Sequence, residues 1–421
     1  MMFTHSAYTP LLEAVSNYVF FYPLIMTHVW LVGALLYYLK WERNQPAAIT
    51  LTHYPPISIL LPCHNEGDNV YETIGWLLQQ NYPAFEIVAI NDGSTDNTGE
   101  LLDQLCTIHP KLRVVHLAEN QGKAVGMCVG ALLSNSEYLV CIDGDALLDV
   151  DACSWLVSHF VYPHVGAVTG NPRIRNRSTL LGKIQVGEFS SIVGIIKRAQ
   201  RIYGRIFSVS GVVAAFRKSA LAEVDFWTPD MITEDVDVTW KLQRAGWDVR
   251  YEPNAKCWIL MPETLAGLWK QRVRWAQGGS EVFLRNMSIF RHWRQRHMWP
   301  MFVELAASLA WVYATVTLAV LAIAALVLGE NAPLPHWQLL LSTQNTFFVL
   351  ILTSLAQFSF GLYLDSRYEK ELWRTYLWIV WYPFVYWMII TCATFVGFPK
   401  ALFKKKGQRA LWTSPDRGYK S

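Results

Sequence analysis

Between about residues 40 and 300 the chain alternates short apolar runs with amphipathic stretches, while on either side long runs carry no charge at all. Inside that window, Ile57-Ser-Ile-Leu-Leu61, Glu86-Ile-Val-Ala-Ile90, Arg113-Val-Val-His-Leu117 and Tyr138-Leu-Val-Cys-Ile142 read as strands. Each is a short aliphatic run bounded by turn residues. Helical patterns fill the gaps, over Glu72 to Gln80, Asn97 to Ile108 and Ala124 to Ser134. Strands alternating with helices of this length predict a doubly wound, mostly parallel α/β sheet. The uncharged stretches are Tyr18 to Leu39, Leu305 to Leu328, Trp337 to Leu364 and Thr375 to Pro399. Each is long enough for a transmembrane helix, which needs about 20 apolar residues. The third contains Gln338, Gln344, Asn345 and Gln357, so its span is expected to be shorter and later. Pro383 predicts a break in the fourth. The expected organisation is a transmembrane anchor (1–40), an α/β domain (41–265), amphipathic interfacial helices (266–300), a second transmembrane region (301–399) and a basic tail (400–421).

Composition narrows the class. Of 421 residues, 52% are hydrophobic and only 16% charged, against roughly 25% charged in ordinary soluble chains. That excludes a disordered chain and argues against a soluble enzyme. The 19 Trp and 19 Tyr suit rings placed at membrane interfaces. A net charge of +3 supplies no field for nucleic acid. Seven scattered Cys, without CxxC or zinc spacing, predict neither a disulfide framework nor a structural metal site. Lys40 and Arg43 follow the first span, and Arg285, Arg291, Arg294 and Arg296 precede the second. The positive-inside rule therefore puts the N-terminus outside and the α/β domain in the cytosol. It also favours a cytosolic tail, although four straight crossings would leave that tail outside. A broken, re-entrant last segment removes the conflict.

In a doubly wound sheet, ligands bind beyond the carboxyl ends of the strands. Three strands end there in polar runs: Pro62-Cys-His-Asn-Glu66, Asn91-Asp-Gly-Ser-Thr-Asp96 and Asp143-Gly-Asp145. Alone, Asn91-Asp-Gly-Ser is good turn and cap chemistry; beside two other acidic strand ends it points to a site. Asp143 and Asp145 suit Mg²⁺ or Mn²⁺ bridging a diphosphate, because hard cations take oxygen ligands. Lys123 is a candidate cation near the same group. Thr233-Glu-Asp235 reads either as a helix start with acids favoured by the dipole or as the source of a carboxylate base. Such a base must be ionised before attack, so its pKa is expected to stay below the working pH, as that of an unburied Asp does. Gln271-Arg-Val-Arg-Trp275 offers cations and a ring to a diphosphate and a sugar, on what also reads as an amphipathic interfacial helix.

In this order the set resembles the processive family 2 glycosyltransferases, whose GT-A domain is joined to membrane helices. The family pattern is an Asp after the second strand, a DxD, a TED and a Q-x-x-R-W, matched by Asp92, Asp143/Asp145, Thr233-Glu234-Asp235 and Gln271/Arg274/Trp275. Longer stretches resemble the bacterial poly-β-1,6-N-acetyl-D-glucosamine synthases of biofilms. These are Cys141–Asp149, Val168–Arg175, Gly182–Glu188, Asp230–Asp235, Trp258–Glu263 and Ser414–Gly418.

The resemblance implies a processive, inverting hexosyltransferase of the bacterial inner membrane that uses UDP-GlcNAc, extends a growing polysaccharide and exports it. It implies that His64, Glu66, Asp92, Lys123, Asp143 and Arg272 serve the UDP donor and that Asp143 and Asp145 hold Mg²⁺ or Mn²⁺. Asp235 would be the base, with Gln271, Arg274 and Trp275 at the diphosphate and acceptor. It further implies a gating segment around Trp412 to Arg417, cyclic di-GMP as activator, a small two-span membrane partner, and outer-membrane export and deacetylase components. A hyaluronan-, chitin- or cellulose-type synthase shares the short motifs. A membrane nucleotide sensor or transporter would account for the spans but not for Thr233-Glu-Asp followed by Q-x-x-R-W.

Overall fold

The structure, a computed structural model, describes residues 5–328, 344–379, 381–405 and 407–411. Helix α1 (His5–Tyr37) continues through a π-helical turn, Tyr38–Glu42. The α/β domain follows as β1 (Ile57–Cys63), α2 (Val70–Leu77), β2 (Phe85–Asp92), α3 (Thr98–Ile108), β3 (Leu112–Leu117), α4 (Lys123–Leu133), β4 (Tyr138–Ile142) and the short β5 (Leu147–Leu148). It continues as α5 (Ala152–Val157), β6 (Val165–Ile174), α6 (Leu180–Glu188), α7 (Gly194–Ile202), β7 (Val213–Arg217), α8 (Lys218–Glu223), α9 (Glu234–Arg244) and β8 (Asp248–Ile259). Then come α10 (Leu265–Arg285), α11 (Trp299–Leu328), α12 (Gln344–Asp365), α13 (Tyr376–Ile379) and α14 (Tyr382–Leu402).

One sheet runs β3-β2-β1-β4-β7-β6-β8-β5. β3, β2, β1 and β4 are all parallel, as the alternating pattern predicts, and β6 pairs with β8 in parallel. β7 is antiparallel to both β4 and β6, and β5 to β8, so the second half of the sheet is mixed. Side chains alternate between two cores on opposite faces. Ile57, Ile59, Leu61, Ile87 and Ala89 enter one; Leu60, Val88 and Ile90 enter the other. That two-residue period, with both faces covered, is why the parallel strands read as unbroken apolar runs.

Four helices are long and apolar enough to cross a membrane: Pro10–Glu42, Trp293–Leu328, Phe348–Asp365 and Val385–Leu402. The first two begin earlier than the uncharged stretches suggest, and the second takes in Glu304. The third is later, as its polar residues predict; residues 337–343 lie outside the described residues. Close backbone approaches seat the helices on the domain. A Cβ on Gly33 would fall 2.6 Å from that of Ala199, one on Gly361 would fall 2.5 Å from Ser191 Cα, and one on Gly397 would fall 2.8 Å from Gln277 N.

A buried charge network completes the join. Arg198 donates to both carboxylate oxygens of Glu42 at 2.8 Å and lies 2.9 Å from Asp365. Arg173 donates to Asp365 at 2.5 Å and to Glu369 at 2.8 and 2.6 Å. The Tyr368 hydroxyl donates to Glu42 at 2.7 Å, and Arg177, itself partly exposed, pairs with Glu369. Glu42 and Asp365 are the last residues of the first and third apolar spans. Their carboxylates are thus drawn into the domain by arginines of β6 and α7.

The last apolar segment is broken where Pro383 predicts. The short α13 precedes it, and Pro383 stands in the first turn of α14, where its missing N–H costs no helical bond. α14 lies along α10 and meets the domain at both ends. The Tyr382 hydroxyl donates to Glu188 at 2.9 Å, and Lys404 just past the helix donates to Glu281 at 3.0 Å and to the Asp230 carbonyl at 2.5 Å. The tail continues onto the same surface, where Ala410 N–H donates to the Pro229 carbonyl at 2.9 Å.

Removing one member of the buried network should be costly, since it strands its partners' charges. Arg198→Met is expected to lower stability by about 3–5 kcal/mol, read as the unfolding midpoint of the detergent-solubilised protein. Arg374→Ala, which breaks an exposed pair with Glu371, should change it by no more than about 1 kcal/mol.

Candidate active site

The strand ends carry the site as the topology requires, but not every polar residue there faces the same space. Asp92, at the end of β2, is fully buried. Its two oxygens accept the N–H groups of Gln121 and Gly122 at 2.8 and 2.9 Å. His64 Nδ1 lies 2.8 Å from the Asp92 carbonyl, and its Nε2 lies 3.2 Å from Asn120 Nδ2. Glu66 is buried, accepting from Asn69 at 3.1 Å. Asp96 plays the turn-and-cap part, accepting from Thr98 N at 3.0 Å and from Gly67 N at 3.0 Å. His64, Glu66 and Asp92 therefore stand behind the loop that begins α4, outside the large cavity.

That cavity measures about 1340 Å³ and is lined by Lys123, Asp143, Asp145, Asp235, Gln271, Arg272, Arg274 and Trp275 among others. Lys123, the first residue of α4, donates to Asp143 at 2.5 Å and to the Gly211 carbonyl at 3.0 Å, and lies 3.3 Å from Glu234. Burial works against its charge, but Asp143 and Glu234 outweigh that and hold the ammonium well above its ordinary range. Thus the lysine, Asp143 and the first acid of Thr233-Glu-Asp235 form one cluster.

Asp235 is set apart from it. Its carboxylate accepts Gly211 N–H at 3.1 Å and Val236 N–H at 2.9 Å. Burial first, and then the neighbouring Glu234, push its pKa up to about 6, with Lys123 and Arg274 acting in the other direction. The value stays below neutral pH, as a base ionised before attack requires, but the group is buried where an open carboxylate was expected. A carboxyl at a helix start is stabilised when it faces water, but this one is enclosed by the cavity wall. It remains mostly ionised at neutral pH and becomes neutral below about 6.

α10 brings Gln271, Arg274 and Trp275 to the same wall. It packs so tightly on the Thr233 turn that a Cβ on Gly278 would fall 2.2 Å from Thr233 Oγ1. Arg272 lines the same cavity, and its charge is engaged by a carboxylate of α6. Its guanidinium is fully buried, 2.8 Å from Glu188 and 4.4 Å from the centre of the Trp275 ring. It braces Trp275 from behind, and Glu188 in turn holds Tyr382 of α14.

Two features of the cavity wall lie outside the short motifs. The first is the tail: residues 408–411 line the cavity, and Arg409 contacts Gln121. The expected gating segment, Trp412 to Arg417, lies outside the described residues. The second is Lys197, a cavity-lining lysine on α7 that resembles any surface cation in a basic helix.

Among the described residues no cluster of three or more His, Cys, Asp or Glu forms a ready metal cage. The donor set fits a divalent cation of another kind. Asp143 is partly exposed, Asp145 lines the same cavity, and Mg²⁺ is commonly held by one or two carboxylates plus substrate phosphates.

A parallel nucleotide-type half-sheet, an acidic pair at its fourth strand and a further carboxylate on the same cavity wall define a GT-A glycosyltransferase. The profile of the family described as "Glycosyltransferase like family 2" matches residues 55–278, and the chain belongs to that family. Its relatives include the poly-beta-1,6-N-acetyl-D-glucosamine synthase of Staphylococcus epidermidis, 42% identical over 410 residues, or 96% of this chain and 98% of that protein. The synthase of the same name from Staphylococcus aureus (strain MW2) is 41% identical over 407 residues, again 96% and 98% of the two chains. Among solved structures, the fold is similar to the mannosyltransferase PcManGT from Pyrobaculum calidifontis in complex with GDP-Man and Mn²⁺. That match has a TM-score of 0.64 at 21% identity and covers 94% of this chain and all of that one.

Gly122 adopts φ +90°, and a Cβ there would fall 2.2 Å from the Ala410 carbonyl oxygen. Gly122→Ala should therefore strain the loop and lift the 408–411 segment. Thiol labelling of an Ala410→Cys variant is expected to be faster in the Gly122→Ala background.

Proposed function

We propose that this glycosyltransferase polymerises N-acetylglucosamine from UDP-GlcNAc into poly-β-1,6-N-acetyl-D-glucosamine. The observation that carries the reading is one continuous cavity. It holds the acid pair, the enclosed Asp235 and the Gln271–Trp275 wall, and it extends between the apolar helices to Trp311 of α11 and Trp387 of α14. The full-length likeness to synthases of that name supports the choice of polymer.

The chemistry is a single displacement with inversion. The C6 hydroxyl of the acceptor sugar attacks the anomeric carbon of the donor. Asp235 accepts its proton as the new C–O bond forms, and the bond from the anomeric carbon to the diphosphate oxygen breaks. UDP leaves with that electron pair. Asp143 and Asp145 would hold Mg²⁺ or Mn²⁺, which when bound supplies positive charge for the departing diphosphate. Lys123 adds a fixed cation beside Asp143. Gln271, Arg274 and Trp275 line the acceptor side, where an indole face suits a sugar ring.

The same reading places the catalytic domain and the tail in the cytosol of a bacterium, with the chain passing outward between the helices as it grows. Three observations support it: the basic residues flanking the spans, the tail resting on the domain, and the extension of the cavity into the apolar bundle. From the family likeness we carry forward a small two-span partner, export and deacetylase components, and activation by cyclic di-GMP.

Asp235→Asn keeps size and polarity but cannot accept the proton. It should bind UDP nearly as well as the wild type while turnover falls by roughly 10²–10⁴. Near wild-type transfer by this variant would remove Asp235 from the role of base. Wild-type turnover should rise with pH through about 6, as Asp235 ionises. Chelation should abolish transfer; full activity in excess chelator would exclude a role for the metal. Labelling of single cysteines should reach residue 5 from outside and residues 290 and 420 only from the cytosol; the reverse pattern would overturn the topology.

A further inference from the structure

Lys197 has no part in the reaction as written, yet it is built into the cavity wall. It is only 9% exposed and lines the same cavity as Asp235. Arg173, Arg198, Arg272 and Lys123 are each matched by a carboxylate at 2.9 Å or less. Among the described residues, no carboxylate comes within ion-pair distance of Lys197. A buried ammonium without a counter-ion is expensive, and a neutral side chain would pack there more cheaply.

Its surroundings lead to Asp235. The Lys197 ammonium donates to Thr169 Oγ1 at 3.1 Å. The same oxygen accepts Ser210 N–H at 2.8 Å. The next residue, Gly211, donates its N–H to Asp235 and accepts from Lys123. Lys197 is therefore one hydroxyl away from the turn that holds both the proposed base and the lysine of the acid pair. Tyr251 of β8 lies beneath, its ring centre 5.9 Å away. On the neighbouring position of α7, Arg198 is committed to Glu42 and Asp365. Asp235 itself is faced by Glu234, Lys123 and Arg274. The field of Asp235 is the one that favours charge on Lys197.

We propose that Lys197 is a positioning residue for the transfer: through Thr169 it fixes the Ser210–Gly211 turn, and as a buried cation it keeps Asp235 ionised for attack. The proposal rests on Asp235 acting as the base. Burial lowers Lys197 to about 8 against the opposing pull of Asp235. Its charge is therefore present at neutral pH and lost in mild alkali, and the turnover profile has two limbs: an acid limb from Asp235 and an alkaline limb from Lys197.

The test compares wild type, Lys197→Met, Lys197→Arg and Asp235→Asn in the same membranes. It measures UDP affinity and the pH dependence of GlcNAc transfer. Lys197→Met should keep UDP affinity, lose turnover and move its acid limb to higher pH, the direction expected when an opposite charge is removed from the same wall. Lys197→Arg keeps the charge but cannot lose it, so it should retain the acid limb and lack the alkaline one. A Lys197→Met profile that is merely scaled down, with both limbs unmoved, would reduce the residue to a packing role. If Lys197→Met does not fold, Lys197→Arg decides alone: an alkaline limb persisting near 8 overturns the proposal. Wild-type turnover by Asp235→Asn, in which Lys197 is intact, would instead overturn the base assignment and this inference with it.

Discussion

The buried network of Arg173 and Arg198 with Glu42, Asp365 and Glu369 is the constraint on which the molecule's geometry depends. The five side chains are nearly inaccessible to water. Such charges lose several kcal/mol of hydration each and are tolerable only when geometry is close and opposite charges balance. Both conditions hold. Arg198 grips Glu42 with two parallel bonds, Arg173 spans Asp365 and Glu369, and the rim residue Arg177 matches the remaining charge. Because the network tolerates little slippage, it fixes the ends of α1 and α12 against β6 and α7. Residues of those helices line the cavity, so a charge cluster outside the candidate site helps to set the cavity's shape.

The site shows a complementary use of charge. Lys123 neutralises Asp143 and approaches Glu234, so two of the acids in the cavity have a resident cation. Asp235, one residue on, is held by backbone N–H groups and enclosed by the wall. Adjacent acids of one helix start therefore differ in character. One belongs to the cationic cluster at the donor side, and the other is left basic enough to accept a proton near neutral pH. An enclosed carboxylate with a raised pKa is a better proton acceptor than an exposed one, because basicity near the working pH favours transfer.

Much of this was legible in the sequence, and the reasons for the rest are physical. The parallel half of the sheet follows from local alternation, the place of Asp143 and Asp145 from strand-end position, and the choice of Asp235 from the resemblance to a family motif. The mixed half did not, since β7 carries no sign of its direction. The charge network was hidden because its pairs lie more than 150 residues apart, as Arg198 and Glu42 do, and each looks like an ordinary span flank or surface charge. Arg272 was read from its motif alone, and its pairing with Glu188 could not be read there because the partner comes from another helix. The raised pKa of Asp235 depends on enclosure by α10 and the 211 turn, which no local pattern reports.

A hydrophilic chain can enter an apolar bundle only if the inner surface of the bundle offers polar groups without exposing them to lipid. The layer formed by α6, α7 and α10 meets that demand. Glu188 joins Arg272 to the Tyr382 hydroxyl, and Gln357 of α12 donates to the Ser191 carbonyl at 3.2 Å. Polar residues of the apolar helices are thereby turned inward onto the domain instead of outward. α14 serves the same arrangement by lying along α10: it covers the Trp275 side of the cavity and returns the chain to the domain surface. The fold thus holds a helix whose composition reads as a membrane span between α10 and α11 and ties both of its ends to the α/β domain.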